Sequence, residues 1–251
     1  MNRLTVLGTE IDSISAAGAV TQALACMDCR RGAYVVTPNT EIVLTAMRSE
    51  PLRDAIRKAD LSLPDSVGVM IAARILGTPL DERIPGVDFA SELLSRMSKE
   101  ERSVFLLGAR EGVAQRAALS LFERYPGLVI TGTQNGFFGS EDECGIVDRI
   151  NTLSPDLLLV CLGTPRQELW MYRNRGQINA GLMVGLGGAL DVFAGDVERA
   201  PEQWRRYGLE WLFRLIHQPW RIKRDAALPL IVLAALWNRI GGTRTPWQTE
   251  N

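Results

Sequence analysis

Leu157-Leu158-Leu159-Val160-Cys161 runs, with only Leu162 between, into Gly163-Thr164-Pro165-Arg166-Gln167-Glu168. Five consecutive apolar residues suit a strand covered on both faces, because a half-exposed strand would alternate apolar with polar. The glycine and polar residues that follow place a turn at its carboxyl end. Working outward, the same pattern recurs, and strands are expected at Leu4–Gly8, Tyr34–Thr37, Ser103–Leu107, Leu128–Thr131, Leu157–Cys161 and Leu182–Leu186. Between them apolar residues fall at helical spacing, as in Ala114, Ala117, Ala118, Leu121 and Phe122, or Ile146, Val147 and Ile150. Strands alternating with helices predict an α/β fold, a mostly parallel sheet flanked by helices.

Ligands of such sheets bind beyond the carboxyl ends of the strands. Those ends carry Thr37-Pro38-Asn39-Thr40-Glu41, Leu107-Gly108, Gly132-Thr133-Gln134-Asn135-Gly136-Phe137, Gly163 to Glu168, and Gly185-Leu186-Gly187-Gly188-Ala189-Leu190-Asp191. Each joins glycine or a turn residue to polar side chains, so backbone can approach a ligand closely. One such turn is an ordinary connection; a series at successive strand ends predicts a shared groove. The Gly185 stretch is not a dinucleotide fingerprint, because G-x-G-x-x-G needs glycine where Leu190 stands. No G-x-x-x-x-G-K-[ST] loop is present either, which disfavours a P-loop NTPase.

The composition narrows the chemistry. The chain has 251 residues, 46% hydrophobic and 23% charged, with a formal net charge of −1. That suits one α/β domain with an appendage, and gives no basic excess directed at nucleic acid. The start, Leu4-Thr5-Val6-Leu7-Gly8, lacks the basic and apolar regions of a signal peptide, so a cytoplasmic protein is expected. Cys26 and Cys29 form a lone C-x-x-C; with Cys144 and Cys161 they read as reduced thiols rather than a zinc site. The single histidine, His217, lies among tryptophans and arginines, so acid–base work falls to carboxylates.

Asp65 stands in Leu63-Pro64-Asp65-Ser66-Val67, where Pro64 ends an extended segment and the next helix can begin. Local sequence alone reads it as a helix N-cap, a duty that conflicts with serving as a base. Beyond Pro201, arginines and lysine (Arg205, Arg206, Arg214, Arg221, Lys223, Arg224) are interleaved with Trp204, Trp211, Phe213 and Trp220. An apolar run from Ala226 to Trp237 follows, too short to span a bilayer. Its basic and aromatic flanks favour a helix lying at a membrane interface over one packed on the core or in an oligomer contact. The tail from Gly241 onward reads as mobile.

Taken in order, Thr37 to Glu41, Leu63 to Asp65, Glu82-Arg83 before Gly86-Val87-Asp88, Phe105 to Gly108, Gly163 to Glu168, Gly185 to Asp191, Arg199-Ala200-Pro201 and Gly208 to Leu215 resemble the WecB/TagA/CpsF glycosyltransferase family. The resemblance runs to about residue 224 and is closest to its wall teichoic acid members. It implies a Rossmann-like core over 1–200 with a C-terminal appendage; the residues themselves make 201–240 membrane-associating and 241–251 a disordered tail. It implies an inverting transfer of N-acetylmannosamine, or a related sugar, from a UDP donor to undecaprenyl-diphosphate-linked N-acetylglucosamine. No metal or other cofactor is implied, and the enzyme would attach peripherally to the inner face of the bacterial plasma membrane.

By position, the resemblance makes Asp65 the general base, with Thr37 and Asn39 beside it and Arg83 near the substrates. It assigns Gln167, Gly185, Gly187, Gly188 and Asp191 to the donor nucleotide, to which the strand-end pattern adds Gly108, Thr133, Asn135, Gly136 and Phe137. Arg214, Arg221 and Arg224 would close over the diphosphate. The family usually has Asp-Gly where this chain has Asp65-Ser66, and a serine there would narrow the pocket or add a hydrogen bond. Two other readings compete: a nucleotide-dependent oxidoreductase on the same core, and a non-catalytic membrane-bound scaffold. Homo-oligomers are also open, because apolar surface hidden in an oligomer or in lipid looks alike in sequence.

Overall fold

The computed structural model describes residues 2–29, 32–201, 203–204, 212–213 and 227–241. Six parallel strands form the central sheet: β3 (Ala33–Val36), β4 (Leu61–Ser62), β5 (Ser103–Gly108), β6 (Val129–Gln134), β7 (Leu157–Cys161) and β8 (Leu182–Gly185), in the order β4-β3-β8-β7-β5-β6. Every residue of β3, β7 and β8 is buried, as their apolar runs require. Alternation along β7 shows how both faces are filled. Leu157, Leu159 and Cys161 enter one core, and Leu158 and Val160 enter the other. At the open edge, β6 is only partly covered, and Val129 is exposed.

Helices α1 (Ala16–Cys29), α5 (Gly86–Lys99), α6 (Val113–Arg124) and α9 (Ala189–Phe193) cover the first face. Helices α2 (Thr40–Ala46), α3 (Glu50–Arg57), α7 (Ser140–Leu153) and α8 (Arg166–Asn174) cover the second. In α6 the inward stripe is Ala114, Ala117 and Leu121; Phe122, expected to join it, points outward and is 58% exposed.

The first expected strand does not enter the sheet. Leu4–Gly8 belongs instead to an antiparallel hairpin of β1 (Asn2–Val6) and β2 (Thr9–Ser13). Leu7 and Gly8 form its two-residue loop, both at positive φ (50° and 79°), a geometry matched to strand twist. Asp12 staples the hairpin to the sheet. Fully buried, it takes Arg3 Nε at 2.7 Å and the Ser62 amide at 2.8 Å, so its charge is paired and hydrogen-bonded.

A third core joins the hairpin to α2, α4 (Val67–Leu76) and α10 (Ala227–Arg239). The apolar run expected at an interface is therefore two-faced. Ile231, Ala234 and Ala235 pack inward, while Leu230, Leu233, Leu236, Trp237 and Ile240 are exposed. Among the described residues no helix is long and apolar enough to cross a membrane. Arg214, Arg221, Arg224 and the tail beyond Gly241 lie outside the described residues.

Candidate functional site

The helices that follow the adjacent strands β3 and β8 lie on opposite faces, which opens a crevice between the two strand ends. Thr37, buried at the end of β3, closes the floor by donating its hydroxyl to the Gly185 carbonyl at 2.9 Å. Asn39 turns away to cap α2, its Oδ1 accepting the Ile42 amide at 3.0 Å.

Asp65 stands beside them, past the end of β4. Its amide donates to the Pro38 carbonyl at 3.1 Å. Its Oδ1 accepts the Gly86 amide at 2.8 Å, across from the first turn of α5. The cap reading of Asp65 is thereby overturned. Ser66 is the N-cap of α4, its hydroxyl accepting the Val69 amide and sharing a 2.9 Å hydrogen bond with Thr40 Oγ1. The departure from Asp-Gly thus adds a bond within the scaffold. Arg83 precedes Ile84, whose amide donates to the Pro64 carbonyl at 2.8 Å, which ties the backbone at Arg83 next to that of Asp65. Gly86 lets these pieces meet: a Cβ there would sit 3.4 Å from Thr37 Oγ1 and 3.2 Å from Leu186 Cδ2.

Gln167 and Glu168 occupy the neighbouring strand end, both buried in the first turn of α8. Gln167 Oε1 accepts the Gly187 amide at 2.8 Å, and its Nε2 donates to Glu168 Oε1 at 2.7 Å. Burial pushes the Glu168 carboxyl up to about 7, against hydrogen bonds from Gln167 and Thr164 that lower it, and the Glu41 charge raises it further. The motif Gly163 to Glu168 gives Glu168 no role of its own. A signal was available: Gln167, Trp170, Met171 and Asn174 share one helical face, and Glu168 borders it.

The remaining candidates extend across the sheet. Gly187 (φ 55°) faces open space, and Gly188 meets only the Asp191 carboxylate, 3.8 Å from where its Cβ would be. At Gly108, φ is 135° and a Cβ would lie 2.3 Å from the Cys161 carbonyl. Gly136 packs on Gly108 and donates its amide to the Ala109 carbonyl at 2.8 Å. Both glycines therefore permit backbone-to-backbone approach between strand ends. Thr133 lies half-buried on β6, Asn135 Oδ1 accepts the Phe137 amide, and Phe137 is 78% exposed. Arg166 fixes this loop, donating to the Gly136 and Phe138 carbonyls (2.6 and 2.9 Å) and lying over the Phe138 ring. The ends of β4 and β6 are five strand spacings apart, about 24 Å. Asp65 and Phe137 therefore stand near opposite edges of the sheet.

Among the described residues no three of His, Cys, Asp and Glu gather as a metal site. All four cysteines are free thiols, and burial pushes Cys161 up to about 12, which removes it as a nucleophile.

Residues 4–245 match the model of the "Glycosyl transferase WecG/TagA/CpsF family". A protein of Bacillus spizizenii is 35% identical over 210 residues, 84% of this chain and 81% of its own length. One of Bacillus subtilis is 34% identical over the same shares, and one of Staphylococcus aureus is 35% identical over 79% of this chain and 78% of its own. All three carry the name N-acetylglucosaminyldiphosphoundecaprenol N-acetyl-beta-D-mannosaminyltransferase.

Proposed function

The chain belongs to the glycosyl transferase WecG/TagA/CpsF family, and from that premise we propose that it moves N-acetylmannosamine from a UDP donor onto undecaprenyl-diphosphate-linked N-acetylglucosamine, inverting the anomeric carbon without an essential metal. The product would feed a wall teichoic acid-like polymer. The observation that carries this reading is the setting of Asp65, whose carboxylate is left out of the α4 cap by Ser66 and held at the crevice by the Gly86 amide, the first of α5.

In this mechanism Asp65 takes the proton of the acceptor hydroxyl as that oxygen attacks the anomeric carbon. Thr37 and Arg83 bound the reacting end. Asn39 acts one step removed, by capping α2. The open turn at Gly187 and Gly188, with Asp191 beside it, receives the donor nucleotide, and exposed Phe137 offers a flat apolar face to its base. Gly108, Thr133, Asn135, Gly136 and Arg166 shape that end.

The departing UDP needs its charge balanced, a task suited to the planar fork of arginine. Arg214, Arg221 and Arg224 are the proposed donors. The described chain on either side of them supports this: Arg199 pairs with Asp88, two residues past Gly86, and Leu228 lies against Gly68, three residues past Asp65. The described chain on both sides of these arginines thus lies on the elements that flank Asp65. The exposed apolar side of α10 supports peripheral attachment at the inner membrane face, where a lipid-linked acceptor resides.

The test is UDP release from UDP-N-acetylmannosamine with a lipid-diphosphate N-acetylglucosamine acceptor, in buffer with and without EDTA. Asp65→Asn is expected to lower kcat by about 100- to 10,000-fold, the range general-base catalysis contributes. A folded Asp65→Asn enzyme with near-normal turnover would remove Asp65 as base, and loss of activity in EDTA would remove the metal-free mechanism.

A further inference from the structure

Two carboxyls among the described residues are fully buried, Asp12 and Glu168. Asp12 has Arg3 as its counter-ion, whereas among the described residues the charge acting on Glu168 is that of another acid, Glu41. Its Oε1 receives Gln167 Nε2 at 2.7 Å and lies 3.4 Å from Thr164 Oγ1, while its Oε2 is buried without a hydrogen-bond partner. An ionised carboxylate so placed would lose hydration at one oxygen and face a like charge. The neutral acid removes the like-charge cost and lessens the loss of hydration, and burial holds the proton up to about pH 7. Glu168 has no exposure, so it cannot touch an acceptor hydroxyl directly and does not compete with Asp65 as base.

What it does touch is the Gln167 carboxamide, which has one accepting and one donating end. The accepting end takes the Gly187 amide at 2.8 Å, and the donating end lies 3.4 Å from where a Gly185 Cβ would be. Flipping that amide would set its NH2 against the Gly187 N–H and waste both donors. Glu168 Oε1 selects the same orientation from the other side. We propose that Glu168 is a positioning residue which, through the Gln167 carboxamide, fixes the Gly187 amide and with it the open turn after β8 that receives the donor. The donor's place at this turn rests on the function proposed above; the Glu168–Gln167–Gly187 linkage does not.

Three variants test it. Glu168→Gln keeps a neutral group with an accepting oxygen, Glu168→Met keeps the length without the acceptor, and Gln167→Met removes the relay. In the protein alone, hydrogen–deuterium exchange of the peptide spanning residues 185–189 should quicken about tenfold in Glu168→Met and Gln167→Met, the scale of one lost buried hydrogen bond. Glu168→Gln should exchange like the parent, and the Glu168→Met/Gln167→Met double variant no faster than either single. In turnover, Glu168→Met should raise the KM for UDP-N-acetylmannosamine about tenfold while kcat stays within about threefold. A residue that only fills space would leave Met and Gln variants alike. Unchanged exchange in Glu168→Met, a Gln variant as impaired as the Met variant, or additive effects in the double variant would each overturn the proposal. Should Glu168→Met fail to fold, Glu168→Asp, which withdraws the acid by one methylene, reads the same contact by exchange. A parent enzyme inert toward the UDP donor would defeat the donor assignment, while exchange would still decide the role of Glu168.

Discussion

Ser66 takes the cap of α4 and leaves the Asp65 carboxylate on the Gly86 amide, the arrangement that the proposed base requires. Sequence could not apportion these two roles, because Asp and Ser are both good caps and the choice turns on which hydroxyl or carboxylate reaches the Val69 amide. Ser66→Ala should therefore lower unfolding free energy by about 1 kcal/mol, and Ser66→Gly, the residue usual in the family, by only a few tenths. Denaturant titration checks both, and an Ala variant as stable as the parent would return the cap to Asp65. Glu168 makes a pH-dependent prediction. Its folded pKa, about 7, stands above the ordinary 4.5, so the folded state binds the proton more tightly than the unfolded. Its stabilising share is whole below about pH 4.5 and is lost as pH rises through 7, a span worth roughly 3 kcal/mol. Gln cannot ionise, so the melting temperature of Glu168→Gln should gain on the parent between pH 5 and 8, by on the order of 5 °C. Parallel melting profiles across that range would mean Glu168 is already ionised in the fold.

Elements were legible where their apolar pattern was long and unbroken. Leu157–Cys161 appears with the boundaries read from sequence, and the other sheet strands shift by a few residues. The hairpin was missed for a physical reason. Its loop is Leu7-Gly8, and a leucine at φ 50° carries none of the Asn or Asp signal that marks such turns. β4 has only two residues, too few for any periodicity. The candidate site was legible as a set of strand ends, but contacts such as Ser66 with Thr40, or Glu168 with Gln167, depend on side-chain directions that spacing does not give. Gly68 shows how tightly the third core is assembled. A Cβ there would sit 2.3 Å from Thr40 Oγ1 and 3.0 Å from Leu228 Cδ1. Threonine is stiff at χ1 and its hydroxyl is already bonded to Ser66, so it cannot yield cheaply. Gly68→Ala, despite better helix propensity, should destabilise by about 1–3 kcal/mol, and a variant that melts at or above the parent would show that α4 and α10 have room between them.

At the scale of the whole molecule, the C-terminal run was read as interfacial, and the structure makes it a helix with two apolar sides. The inner side is small, Ala234 and Ala235 beside Ile231, and lets α10 lie close on α4. The outer side is large, with Leu230, Leu233, Trp237 and Ile240 spaced three or four residues apart along one stripe. Core packing explains only the first set. If the outer stripe enters the membrane interface, each large side chain it buries contributes about 1.5–3 kcal/mol. Leu233→Glu or Trp237→Glu should then weaken binding to anionic vesicles by at least about tenfold. Both residues are exposed, so the melting temperature should hardly move, surface substitutions being worth about 0.5 kcal/mol or less. Turnover of an acceptor embedded in vesicles should fall with binding, while turnover of a short-chain soluble acceptor should stay at the parent level. Ala234→Glu supplies the contrast, since a charge on the buried side should unfold α10 from α4 and lower stability outright. Vesicle binding unchanged in both outer variants would leave the stripe without a membrane role. It would then remain as surface for another copy of the chain, to be read from whether Leu233→Glu lowers the mass in solution.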